Sequence, residues 1–113
     1  MRLGMHRFKD DGTTAFLAEY AIVMQDPAAI PSLVHVRGWD TALALAKFGR
    51  QALPEVIRTA HGEDGTSHYD IGHCLTALRL MVQEWGLEYF TEQERAELKA
   101  TAALYLTPNT PPV

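Results

Sequence analysis

Residues 67–86, SHYDIGHCLTALRLMVQEWG, decide the fold class. Ile71, Cys74, Leu75, Leu78, Met81, Val82 and Trp85 return at intervals of three and four, the period at which one face of an α-helix repeats. Ser67-His68-Tyr69-Asp70 opens the stretch as a capping box with Asp in place of the usual Glu or Gln, and Gly86 is a natural stop. Sustained period-two alternation of β-branched residues, the mark of a strand, is missing from the chain.

The same signals continue in both directions. Downstream, Thr91-Glu92-Gln93-Glu94 is a full capping-box pattern, and the helix it starts is predicted to reach Leu106 and to bury Ala96, Ala100, Ala103 and Leu104. Upstream, the Gly62–Ser67 loop separates the long helix from one predicted over Arg50–His61. That helix carries Leu53, Val56, Ile57 and Ala60, and Pro54 belongs in its first turn because a deeper position would cost a backbone bond. A helix over Trp39–Phe48 buries Ala42, Leu43 and Ala46 and ends at Gly49. Asp26-Pro27 reads as a cap followed by proline, opening a short helix with Ile30, Leu33 and Val34 as its stripe. The first helix, Thr13 to Gln25, is expected to face inward through Phe16, Leu17, Tyr20, Ala21 and Met24. Residues 1–107 form one α-helical domain on this reading, and residues 108–113, with Pro108, Pro111 and Pro112 at this end of the chain, an extended Pro-rich tail.

Two of these helices repeat. Ala29-Ile30-Pro31-Ser32-Leu33-Val34-His35 aligns with Ala52-Leu53-Pro54-Glu55-Val56-Ile57-Arg58 at a register of 23 residues. Thr41 to Gly49 followed by Ala52 to Ile57 resembles the bacterial HEAT-like repeats related to phycobilisome-lyase repeats, in which an Ala/Leu-rich helix ends near Gly and a corner leads to an Ala-aliphatic-Pro helix. The unit from Ala18 to Val36 matches more loosely, and Tyr69 to Leu106 matches only as two helices. The resemblance implies an all-α fold of about three antiparallel helix pairs stacked as a short solenoid. A compact orthogonal helical bundle is the alternative, since the 23-residue register is shorter than that family's spacing.

Composition bounds the function. With 113 residues, 47% of them apolar, the chain has the size and core content of one globular domain. Net charge runs −1 over residues 1–36, +2 over 37–62 and −5 over 63–113, an acidic balance that argues against nucleic acid as partner. The single cysteine, Cys74, rules out an internal disulfide, and no apolar run approaches the roughly 20 residues of a membrane span. No signal peptide is visible over Met1–Lys9, so a cytoplasmic location is expected.

Catalytic and nucleotide motifs do not occur: there is no P-loop and no nucleophile elbow, no cofactor is expected, and no catalytic residue is assigned. His61, His68, Asp70 and His73, with Glu63 and Cys74 nearby, are the residue types that hold zinc. On a helix, though, His68 and His73 point about 140° apart, and loop histidines beside a core cysteine are the ordinary reading. Glu84, Glu88, Glu92, Glu94 and Glu97 read as solvated helix faces or caps rather than acid–base pairs. Trp85 ends a core stripe, whereas Trp39 is balanced between packing and contact with a partner.

The repeat supplies the partner-binding expectation. With Ile30, Leu33 and Val34 inward, Ser32 and His35 face out; with Leu53, Val56 and Ile57 inward, Glu55, Arg58 and Thr59 face out. Second helices line the concave surface of a solenoid, so Ser32, His35, Trp39, Glu55, Arg58 and Thr59 form the expected contact strip. The expected function is a small non-enzymatic adaptor or scaffold that binds a protein, with a homodimer as one way to cover an open end. The alternatives are an acidic inhibitor of immunity type that blocks a basic partner, and a metal-dependent enzyme built on the His61–His73 region.

Overall fold

The computed structural model describes residues 11–63 and 65–106, and these form six α-helices linked by short turns. They are α1 (Asp11–Met24), α2 (Ile30–Leu33), α3 (Trp39–Phe48), α4 (Leu53–Ala60), α5 (His68–Trp85) and α6 (Glu92–Ala103). Single 3₁₀ turns, Pro27–Ala29, Gly49–Gln51 and Leu87–Tyr89, lead into α2, α4 and α6. The predicted tail over 108–113 lies outside the described residues.

Local chemistry sets the boundaries. Asp26 accepts the Ala28 amide at 3.0 Å, and Pro27 follows where no amide is needed. Pro54 sits in the first turn of α4. Thr91 and Glu94 form the full reciprocal capping box at α6. Ser67 caps α5 through the Tyr69 amide, but the second half of the predicted box is missing, because Asp70 turns to His35 and Arg37 instead.

The helices take two directions. The amino-terminal ends of α1 and α3 touch, since a Cβ on Gly38 would lie 2.7 Å from Thr14 Cγ2, and the start of α5 lines the same hollow as the start of α3. At the opposite end the last turns of α1, α3 and α5 share a groove. These three helices therefore run parallel, and α3 packs on both neighbours. Helix α4 runs the other way: Gly49, in the turn before it, lies against Trp85 at the end of α5, and Gly62, just past its end, lies against Ile71 in the first turns of α5; α6 runs alongside α4, with Glu94 meeting Arg50 and Thr101 meeting His61. Helix α4 packs chiefly on α5, and α6 packs on α4. The core is continuous from Ala18 and Ala21 through Leu33, Leu45, Leu53 and Val56 to Cys74, Met81 and Phe90.

Two faces differ from the sequence expectation. Helix α1 buries Thr14, Ala18 and Ala21, with Leu17 and Ile22 half-buried, while Phe16, Tyr20 and Met24 point outward. The small side chains face α3 because close approach between helices favours them, and α1 is apolar on both sides, so periodicity gives no unique face. Helix α6 leaves Ala96, Ala100, Ala103 and Leu104 exposed and turns Glu94, Leu98, Thr101 and Tyr105 toward α4. There Thr101 meets His61 Nε2 at 2.9 Å and Tyr105 donates to the Ala60 carbonyl. Polar groups that close hydrogen bonds between helices outweigh alanines that bury little area. On α5 the expected stripe holds at Cys74, Leu78 and Met81, but Ala77 and Leu80 are buried beside it and Trp85 is half-exposed.

Candidate functional site

Where α3 and α5 begin, Arg37, Trp39, His68, Tyr69, Gly72, His73 and Thr76 surround a shallow pocket of about 400 Å³. Its two large rings are open to solvent, Trp39 at 56% and Tyr69 at 72% exposure. The Arg37 guanidinium carbon lies 4.9 Å from the Tyr69 ring centroid, within cation–π range, and 3.6 Å separates its Nη1 from Asp70 Oδ1. His35 Nδ1 reaches the other carboxylate oxygen of Asp70 at 2.9 Å. His73 forms the inner edge of the pocket at 7% exposure, with Nε2 2.8 Å from the Leu33 carbonyl. A carbonyl only accepts, so Nε2 carries the proton. Burial pushes the His73 pKa down from 6.5, which keeps the ring neutral near pH 7, with Nδ1 as an acceptor.

The other end of the same helices is built from similar parts but is closed. Trp85 stacks on Tyr89 with centroids 4.6 Å apart and donates its indole N–H to the Ala46 carbonyl at 2.8 Å. The Arg50 guanidinium carbon sits 4.5 Å from the Tyr89 centroid; its Nη2 donates to the Tyr89 carbonyl at 2.6 Å and its Nε to Glu94 at 2.7 Å. The Tyr89 hydroxyl accepts the Arg50 amide at 2.9 Å. Gly49 makes the corner, at φ 62°, where any Cβ would lie 2.7 Å from that hydroxyl. The hydrogen bond to Arg50 holds the Glu94 pKa below its ordinary 4.5, and Glu94 raises that of Arg50 in return. Beside this corner, Ala21, Ile22, Ala44, Phe48 and Trp85 floor a groove of about 320 Å³, and a Lys47–Glu84 ion pair of 3.2 Å lies at its rim.

The residues expected on one contact strip divide among separate places. Trp39 lines the open pocket, and His35 is tied to it through Asp70. Ser32 is exposed beside Tyr20 and Asp26 in a small hollow between α1 and α2. Arg58 lines a third hollow with His61 and Glu97, and it pairs with Glu55 one turn away on α4. Thr59, expected to face outward, is instead buried at 6% exposure. The rotation of α4 that buries Val56 and Ala60 carries Thr59 inward and leaves Ile57 only half-buried. Burial pushes the Cys74 thiol up to about 12, so it stays protonated and unreactive.

The histidines do not converge. His61 belongs to the α4–α6 contact, His73 to the α2–α5 contact, and His68 is exposed in the pocket. Asp70 is occupied by His35 and Arg37. Among the described residues no three His, Cys, Asp or Glu side chains come close enough to share a metal ion. Also among them, no helix is long and apolar enough to cross a membrane.

Sequence reasoning missed Arg37, Tyr69 and Gly72. The available signal was Gly72 itself, a helix-weakening residue inside the strongest helical pattern of the chain. Also unforeseen was the outward face of α1, where Phe16, Val23 and Met24 are each more than half exposed and Tyr20 borders them. No family model, no curated protein and no solved structure matches the chain, so nothing among known proteins identifies the small all-helical fold as one of HEAT-like repeats.

Proposed function

We propose that the chain is a small non-enzymatic protein–protein interaction module, and the outward face of α1 carries the reading. A helix that is apolar on all sides is ordinarily buried on all sides. Here, among the described residues, only the Ala18–Ala21 side is covered, and Phe16, Val23 and Met24 face solvent with one charged neighbour, Glu19, among them. Contiguous exposed apolar surface of this kind marks interaction sites on monomeric domains. Stacked helix pairs of HEAT-like type fit the same picture. Parallel α1, α3 and α5 correspond to first helices, and α4 and α6, parallel to each other and reversed, correspond to second helices. An outer face on α1 is then the open end of the stack, where a capping unit, a partner or a second copy belongs.

The test compares affinity capture by the wild-type chain with capture by a Phe16→Glu/Val23→Glu variant. Both positions are exposed, so the variant is expected to keep the wild-type circular dichroism spectrum. A protein retained by the first and lost from the second supports the reading; identical retained sets overturn it. A second reading, an acidic inhibitor, draws on the exposed Glu88, Glu92 and Glu97 around the start of α6. It predicts capture that collapses between low and high salt, whereas an apolar contact through α1 persists.

A further inference from the structure

We propose that the pocket over Gly72 receives a neutral aromatic side chain bearing a hydrogen-bond donor, of tyrosine or tryptophan type, presented by a partner protein. The proposal rests on the chain being a protein-binding module and names where and what it binds.

Gly72 interrupts the strongest helical pattern of the chain. It lies within an eighteen-residue helix, and it is not among the residues with positive φ. A Cβ added there would meet nothing within 4 Å. Nothing within the described chain therefore requires glycine, although glycine weakens a helix interior relative to alanine. Compare Gly38 and Gly49, where a Cβ would strike Thr14 and Tyr89. What glycine provides at 72 is an open floor between Trp39 and Tyr69.

The surroundings select the ligand. Two exposed rings line the site, Trp39 and a Tyr69 whose one face carries the Arg37 guanidinium, and Trp, Tyr and Arg are the residue types that dominate binding hot spots. A cationic group is disfavoured because the Arg37 guanidinium already sits over Tyr69. An anionic group is disfavoured because Asp70 already pairs with Arg37 and lies beside the same site. A neutral ring meets neither obstacle. His73 adds the polar requirement: with Nε2 committed to Leu33, its Nδ1 has no partner among the described residues and accepts a phenol O–H or an indole N–H.

The probe is p-cresol, titrated into the ¹⁵N-labelled full chain while the Gly72 amide and the Trp39 indole N–H are followed by NMR. Saturable shifts are expected at both, with toluene binding about fivefold more weakly for want of the hydrogen bond. Gly72→Leu fills the floor and is expected to weaken p-cresol binding about tenfold or more while leaving the remaining resonances in place. Should Gly72→Leu disturb the fold, Gly72→Ala is the gentler block and is expected to weaken binding in the same direction. Absence of saturation with p-cresol, equal affinity for toluene, or binding unaffected in a folded Gly72→Leu chain overturns the proposal. Because p-cresol binding involves no partner, such a failure strikes the pocket alone. Capture indifferent to the α1 substitutions, with p-cresol still bound, would instead strike the reading of the α1 face.

Discussion

Two ends of the molecule hold the same three residue types and use them differently. At the carboxy-terminal ends of α3 and α5, Arg50, Trp85 and Tyr89 close on backbone groups: the indole on Ala46, the guanidinium on the Tyr89 carbonyl, the phenol on the Arg50 amide. At the amino-terminal ends, Arg37, Trp39 and Tyr69 make one ion pair and one cation–π contact and leave both rings in solvent. An Arg–Trp–Tyr cluster therefore says little about function by its composition. What separates structural from available side chains is whether their polar atoms already have partners and whether their rings are already covered.

The comparison can be broken by substitution. The largest effect is expected at Gly49, where alanine must accept a positive φ and displace the Tyr89 hydroxyl and the Trp85 ring; we expect a loss of about 2–3 kcal/mol in urea denaturation. Next come the tryptophans. Trp85→Phe removes the donor to Ala46 and is expected to cost about 1 kcal/mol, while Trp39→Phe stays within about 0.5 kcal/mol because Trp39 is exposed and closes no hydrogen bond among the described residues. Equal losses at the two sites would erase the distinction. Gly72→Ala is expected to have the opposite sign, raising stability by about 0.5–1 kcal/mol, since it gains helix propensity without a clash. A stability loss there would mean that the open floor serves the fold.

The smallest effects separate the two ends by pH. His73 has a folded pKa depressed below 6.5, so the unfolded chain binds the proton more readily. Its contribution is complete above pH 6.5 and is lost as pH falls from there through the folded value. Glu94 is depressed from 4.5, so its contribution survives until pH falls below that value. Urea midpoints measured against pH should therefore flatten below pH 6.5 in His73→Gln and only below pH 4.5 in Glu94→Gln. Identical profiles for the two variants would refute the assignment of separate windows.

The helices were legible because their signals are local. The caps Asp26, Ser67 and Thr91, the stops Gly49 and Gly86, and Pro54 in a first turn act through residues within one turn, and all appear where the pattern put them. The faces of α1 and α6 were not legible. Helix α1 offers apolar residues on every side, and α6 is anchored by Thr101 and Tyr105, whose partners His61 and Ala60 lie about forty residues away in sequence. Of the expected contact residues, Trp39 and His35 fall at or beside the open pocket, whereas Thr59 is inside because the rotation of α4 is set by its packing on α5.

The sequence by itself determined the all-α class, the approximate ends of the six helices among the described residues, and Cys74 as a core residue, since periodicity and capping are encoded within a few residues of one another. Only the tertiary structure decided that α1, α3 and α5 run parallel, that Phe16 and Met24 face outward, and that Arg37, Tyr69 and Gly72 share one hollow. Those outcomes depend on which helix faces match in size and on which distant polar atoms find partners, and neither property belongs to any single stretch of chain.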